Sequence, residues 1–279
     1  MAPLADAIKA PMVRAMAVEI SMMNWRMNVS WRGFWAYPWC ASRGIASRLI
    51  IALAAGTTAA AATEPVSLEL LLAVDVSTSV NDIEFIQQME GMSQAFADRE
   101  VVELILNHKS GVAVRVALWA GFPSSKMPHP WRVLRSEQDI SAFASSLLEI
   151  PRENLGHLTA LGSAMSFAIK EIETNGFEGI EKKIDVSGDG RNNVGPHPGH
   201  AQVRALAGDI TINGLVIGNA EQGLEDYFER NVMTGRDAFV EYAANFEDFA
   251  EAFRRKLKRE LSPELAGGPN IHYYAGLPR

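Results

Sequence analysis

An almost continuous apolar run, Leu68–Val74, ends at Asp75 and is followed by hydroxyl side chains at Ser77 and Ser79. Such a run is typical of a strand that is buried on both faces, and such strands belong to parallel sheets covered by helices. Open α/β sheets bind their ligands outside the carboxyl ends of these strands. The pattern therefore predicts that the three polar residues lie at the binding edge of an α/β sheet.

Strand patterns and helical patterns alternate along the rest of the chain. Further strands are expected at 111–119, 131–134, 184–187, 210–217 and 239–242. Helices are expected at 83–105, as one helix or two, at 140–148, after residue 159, at 201–206 and at 246–261. This order predicts a doubly wound, mostly parallel central sheet flanked by helices, with one antiparallel edge strand.

Two later loops carry further oxygen side chains. Thr159 precedes a helical pattern, and Asp189 stands between two glycines after a short apolar strand. Together with Asp75, Ser77 and Ser79, these residues could converge on one metal ion. Mg²⁺ prefers oxygen ligands and keeps several waters, and the set contains nothing soft enough to select copper or zinc. The alternative is a polar turn that only caps the helix after the first strand.

The motif Asp75-x-Ser77-x-Ser79, with Thr159 and Asp189, resembles the metal-ion-dependent adhesion site of von Willebrand factor type A domains. The sequence around the three loops also resembles that of an uncharacterised bacterial family of secreted, type A-like proteins. The resemblance covers about Leu68 to Leu261. The chain departs from many relatives in the sequence Gly156-His157-Leu158 before Thr159, where consecutive glycines are common.

The resemblance implies roles for the five residues. In the superfamily, the hydroxyls at the positions of Ser77, Ser79 and Thr159 tend to contact the metal directly. The carboxylates at the positions of Asp75 and Asp189 usually act through water. The implied cofactor is a divalent cation, Mg²⁺ first and Mn²⁺ or Ca²⁺ as alternatives. The implied partner is a protein that offers an Asp or Glu to complete the coordination, so the chain is expected to bind rather than to catalyse.

Two other functions remain open at this point. A metal-dependent hydrolase acting on phosphoesters would use the cation to stabilise the transferring group. The sequence offers no convincing nucleophile or general base for this chemistry. The other alternative is an interaction domain whose metal site is vestigial and whose partner binds elsewhere.

Residues 1–62 differ in composition from the rest. They contain six basic and two acidic residues, a formal charge of +4, so the remaining residues carry −11 of the total charge of −7. Arg43 and Arg48 precede a short apolar segment that ends in small residues, which is the layout of a secretory signal at about 43–62. The apolar part is shorter than the ~20 residues that span a bilayer.

The forty residues that precede this segment leave three interpretations. The start codon is assigned too early, with Met27 as one candidate start, or the signal is unusually long, or the segment is an uncleaved membrane tether. We favour the first. A periplasmic or secreted protein is expected, with membrane contact only through a retained N-terminal segment.

The charge and the cysteine content limit which partners and which covalent links are expected. A charge near −11 after residue 62 disfavours binding to nucleic acid. Cys40 is the only cysteine, so no disulfide is expected downstream of the signal. The expected organisation is an N-terminal extension at 1–62, a type A-like domain at 63–261 and an irregular tail at 262–279.

Overall fold

The computed structural model describes residues 63–121, 125–218 and 222–262. The expected extension at 1–62, with its signal at about 43–62, lies outside the described residues, and so does the expected tail after residue 262. The described residues all belong to one structural unit. None of the helices in these ranges is long and apolar enough to cross a bilayer.

Seven strands in the described part of the chain form one sheet. The strands are β1 (Glu64–Asp75), β2 (Val112–Trp119), β3 (Ser125–Lys126), β4 (Arg132–Leu134), β5 (Phe177–Gly188), β6 (Thr211–Ile217) and β7 (Val240–Ala243). Their order across the sheet is β3-β2-β1-β5-β6-β7, and β4 also pairs with β2. Strands β2, β1, β5, β6 and β7 are parallel, so their carboxyl ends lie at the same edge.

The predicted fold class is confirmed: the sheet is doubly wound and mostly parallel. Its antiparallel edge consists of two short strands on the same side of β2. Strand β3 pairs with the end of β2 at Leu118 and Trp119, while β4 pairs with its beginning at Val112. Strand β3 lies in the Pro- and Ser-rich connection and was not predicted, because two residues are too few to produce a strand pattern.

Within the described residues, seven helices cover the sheet. They are α1 (Asp82–Ala97), α2 (Arg99–Asn107), α3 (Glu137–Leu147), α4 (Leu161–Glu173), α5 (Gly199–Ala207), α6 (Leu224–Asn231) and α7 (Phe249–Leu261). Alternate residues of β1 enter two separate cores, as the strand period of two requires. Leu70 and Leu72 pack with α1, α2, α3 and α7, while Leu71 and Ala73 pack with α4, α5 and α6. Both faces of β1 are thereby buried.

The structure decides between the one or two helices expected at 83–105, and it departs from the prediction in β5 and α6. The helical region at 83–105 is two helices, because Asp98 ends α1 and its side chain caps the first amides of α2. Strand β5 begins at Phe177, since its polar first half pairs with β1. Helix α6 was not predicted, although Leu224 and Phe228 have helical spacing and are buried.

Candidate metal centre

Asp75 occupies the last position of β1 and is completely buried. Its Oδ1 accepts a hydrogen bond of 2.8 Å from the backbone N–H of Ser77. Burial raises the pKa of Asp75 to about 7, and the nearby charge of Asp189 adds to this effect. The first predicted ligand is thus a carboxylate held in place by its own loop.

A chain of hydrogen bonds joins the first loop to the third. The Ser77 and Ser79 hydroxyls lie 3.0 Å apart, and the Ser79 hydroxyl donates to Asp189 Oδ1 at 2.8 Å. Asp189 follows β5, which is the neighbour of β1 in the sheet. Burial raises the pKa of Asp189, while the bond from Ser79 opposes this effect and the charge of Glu84 adds to it.

Thr159 reaches the same place from the loop before α4. Two bonds hold it: its N–H donates to Asn193 Oδ1 at 2.8 Å, and the N–H of Asn193 donates to the Thr159 carbonyl at 3.0 Å. A Cβ on Gly190 would lie 3.6 Å from the Thr159 hydroxyl oxygen. The hydroxyl is therefore adjacent to the residue that follows Asp189. The structure brings all three predicted loops together.

The unusual segment before Thr159 is tied to the first loop. The Thr78 hydroxyl donates to the His157 carbonyl at 3.0 Å, so this contact uses the backbone and not the imidazole. Beyond the loop, the N–H of Gly162 donates to Asn192 Oδ1 at 3.0 Å. The backbone of His157 thus links the first loop to the loop that carries Thr159.

The backbone of Gly188 approaches the Asp75 carboxylate closely. A Cβ at this position would lie 3.2 Å from Asp75 Oδ2 and 3.3 Å from Trp119 Cζ2. Both distances are shorter than ordinary van der Waals contacts, so a side chain would displace the carboxylate or the indole. Glycine is required here because of close approach, since its φ is not in the left-handed region.

One buried atom shows whether the oxygen atoms of these loops fit a divalent cation. Asp75 Oδ2 is buried and has no hydrogen-bond partner among the described residues. An unpaired carboxylate oxygen in a buried site is costly, and a cation or its bound water would satisfy it. The same parts of the chain contain no group of three or more His, Cys, Asp or Glu placed to hold a metal. The oxygen set at this edge is instead rich in hydroxyls and fits a hard cation.

Sequence reasoning missed the residues that anchor the loops. The motif did not assign Asn192 and Asn193, yet their side chains fix the segment from Thr159 to Gly162. A pair of adjacent asparagines after a glycine-bracketed aspartate was the available signal. Glu84 was also unassigned, and its charge acts on Asp189 from the first turn of α1.

Comparison with solved structures places the fold among von Willebrand factor type A domains. Proximal thread matrix protein 1 from the mussel byssus matches with a TM-score of 0.55 and 15% identity over 70% of this chain and 47% of that chain. A second structure of that protein, with a zinc-occupied MIDAS motif, gives 0.50 and 14% over 70% and 46%. The von Willebrand factor type A protein from Catenulispora acidiphila gives 0.50 and 16% over 70% and 42%. The chain spans less than half the length of these proteins.

The chain belongs to the family described as "Protein of unknown function (DUF1194)", whose model matches residues 65–265. The match includes all three loops of the candidate metal centre. A comparison with curated proteins gave no match. The fold and the family are therefore those that the sequence resemblance indicated, a type A-like domain of an uncharacterised family.

Proposed function

We propose that this protein is an exported, metal-dependent protein-binding module whose divalent cation is held at the edge of the sheet. Ser77, Ser79 and Thr159 would contact the cation directly, and Asp75 and Asp189 would act through water. The observation that carries this proposal is the buried Asp75 Oδ2, which lacks a partner beside a chain of hydrogen-bonded hydroxyls. Oxygen donors favour Mg²⁺, with Mn²⁺ or Ca²⁺ as alternatives.

The chain's own residues would prepare the site for a partner. The backbone of the first loop orients Asp75, and the Ser79–Asp189 bond fixes the spacing of the first and third loops. When bound, the cation supplies positive charge and a coordination position that a partner's Asp or Glu can fill. We expect binding without catalysis, since both serine hydroxyls are already engaged with each other and with Asp189.

The neighbours in structure support the coarser parts of the proposal. One is described as a matrix protein and, in a second structure, as having a zinc-occupied MIDAS motif. This supports a divalent-cation site and a role in protein interactions on a fold of this type. Export is proposed from the same neighbours together with the signal-like sequence before residue 63.

Selection from a displayed peptide library tests the proposed function. The purified protein would be exposed to the library in Mg²⁺, and bound peptides would be released with EDTA. The selected peptides should share an Asp or Glu, and its replacement by Ala should abolish binding. The Asp75→Ala variant should capture none of them. Binding that persists in EDTA, or that the variant retains, would contradict the proposal.

A further inference from the structure

A second group of buried charges lies away from the candidate metal centre, between α7 and the sheet. Lys256 of α7 is fully buried, with its Nζ 2.8 Å from Asp185 Oδ1 of β5. The same ammonium lies 2.5 Å from Glu260 Oε1, one turn further along α7. Asp185 and Glu260 are also almost completely buried. These three residues are named the α7 cluster.

The α7 cluster contains two carboxyl groups and one ammonium. If both carboxyl groups were ionised, one buried negative charge would remain uncompensated. Two carboxylate oxygens, Asp185 Oδ2 and Glu260 Oε2, lack hydrogen-bond partners among the described residues. A buried charge without compensation is expensive, so one added proton makes the cluster neutral.

Two neighbouring side chains of the sheet leave this imbalance unchanged. Lys183 donates to the Glu260 carbonyl at 2.8 Å, but its ammonium lies 2.6 Å from Glu181 Oε2, which balances its charge. Asn213 of β6 donates to Glu260 Oε1 at 3.0 Å and is neutral.

The charged groups that face α7 from its other neighbours are paired or lie outside the cluster. Among the described residues, the other charged contacts of α7 include Arg254 and Lys258 with Asp98, Lys258 with Glu100, Arg255 with Glu241, Arg254 and Arg255 with Glu251, and Arg259 over the Phe239 ring. His108 of α2 contacts the Leu261 carbonyl at 3.0 Å, at the end of the helix. Where α1 meets α7, the two helices approach closely at Gly91 and Phe249.

We propose that the α7 cluster is a proton-dependent latch, which holds α7 against the sheet while it carries a proton and loosens the helix when that proton is lost. The latch uses no residue of the candidate metal centre. It would therefore operate whether or not the proposed metal binds. An exported protein meets environments of varying pH, in which such a latch would change the order of its last helix.

The direction of the effect follows from the acid in the cluster. Burial raises the pKa of Asp185 from 3.8 to about 7, against the opposing effect of Lys256 and with a further rise from Glu260. The pKa of Asp185 is thus higher when α7 is packed on the sheet than when α7 has opened. Between pH 3.8 and about pH 7, the packed state therefore binds more protons than the open state. The equilibrium for opening α7 should then rise by up to about tenfold per pH unit from about pH 4 to about pH 7, and level off above, as expected for one proton.

Hydrogen exchange tests the latch on the purified full chain in EDTA. Amide protection in α7 would be measured from pH 5 to pH 8, corrected for the intrinsic exchange rate, with α4 as the internal reference. We expect the protection of α7 to fall relative to α4 by up to about tenfold per pH unit and to level off near pH 7. The Asp185→Asn variant should lose this dependence, because its side chain is neutral at every pH.

The Asp75→Asn variant is the matched control, since it removes the other buried carboxyl whose pKa is raised to about 7. It should retain the pH dependence of α7. Equal pH dependence in α7 and α4, or the same dependence in wild type and Asp185→Asn, would overturn the latch. If Asp185→Asn does not fold, the comparison of α7 with α4 in the wild type decides between the two outcomes.

Discussion

The Ser79 hydroxyl donates a hydrogen bond of 2.8 Å to Asp189 Oδ1 across 110 residues of sequence. The two residues follow adjacent parallel strands, β1 and β5, so the sheet itself brings their loops together. This bond replaces a hydrogen bond that the half-buried carboxylate would otherwise make to water, and it sets the spacing of two proposed metal ligands. The proposed metal site and the stability of this edge of the sheet are thus linked through one hydroxyl.

Replacing Ser79 by Ala should weaken both properties. The variant should bind Mg²⁺ at least tenfold more weakly, since it loses a direct ligand. Without metal it should lose about 1 kcal/mol of unfolding free energy, the usual value of one such hydrogen bond. Titration calorimetry and urea unfolding measure the two effects. The exposed Ser110→Ala is the control and should change neither; equal metal affinity in Ser79→Ala and wild type would remove Ser79 from the site.

Thr159 should act through its hydroxyl and not through its methyl group. Thr159→Ser keeps the oxygen and should retain the metal affinity within about threefold, whereas Thr159→Ala should lose at least tenfold, an expectation drawn from the preference of hard cations for oxygen ligands. Thr174→Ala, in which the lost hydroxyl caps a helix carbonyl far from the loops, serves as the control. Calorimetry compares the four proteins. Indistinguishable affinities for the Ser and Ala variants would show that the hydroxyl is not a ligand.

Gly188 and Gly190 form a matched pair of glycines on either side of Asp189. A Cβ on Gly188 would crowd Asp75 Oδ2 at 3.2 Å, whereas one on Gly190 would have its nearest neighbour at 3.6 Å. Gly188→Ala should therefore cost about 1–3 kcal/mol of unfolding free energy, the range for overpacking. Gly190→Ala should change the free energy by less than about 1 kcal/mol. Urea unfolding compares them, and equal losses would contradict the close approach to Asp75.

Asp98 should make the free energy of unfolding depend on pH in the acid range. Burial acts to raise its pKa, but hydrogen bonds from the Val101 N–H and from Arg254 and Lys258 of α7 hold it below 3.8. A lowered pKa gives stability that is present above 3.8 and lost as the pH falls through the folded-state value.

Asp98→Asn keeps an oxygen for the cap but loses the charge, so it should be less stable than wild type at pH 7 by up to about 1 kcal/mol, the range for exposed ion pairs. The difference should vanish in strong acid. Thermal unfolding from pH 2 to pH 7 follows it. A difference that does not depend on pH would mean that the carboxylate charge is not the cause.

Much of the architecture was predictable, because both faces of the central strand are buried. Residues 68–74 are mostly apolar, and this pattern correctly indicated a parallel sheet between two helical layers. Helix α6 was missed since its charged residues obscured the two buried ones, Leu224 and Phe228. The start of β5 was missed because pairing with β1, and not burial, forms its first half.

The convergence of the three loops was predictable, but the residues that anchor them were not. The motifs named Asp75, Ser79 and Thr159, and the sheet brings their loops together, as the strand order requires. The anchoring role of Asn193 depends on contacts 34 residues apart, which no local pattern encodes. The burial of Lys256 was equally hidden, because four other basic residues, Arg254, Arg255, Lys258 and Arg259, surround it in the sequence of α7.

The central claim is that Asp75 belongs to a divalent-cation site, and isothermal titration of the purified protein with Mg²⁺, Mn²⁺, Ca²⁺ and Zn²⁺ tests it most directly. The wild type should bind at least one of these ions at a single site, with oxygen-preferring Mg²⁺ or Mn²⁺ expected first. The Asp75→Ala variant should remain folded and show no binding heat. Equal binding by the two proteins, or no binding by either, would contradict the claim.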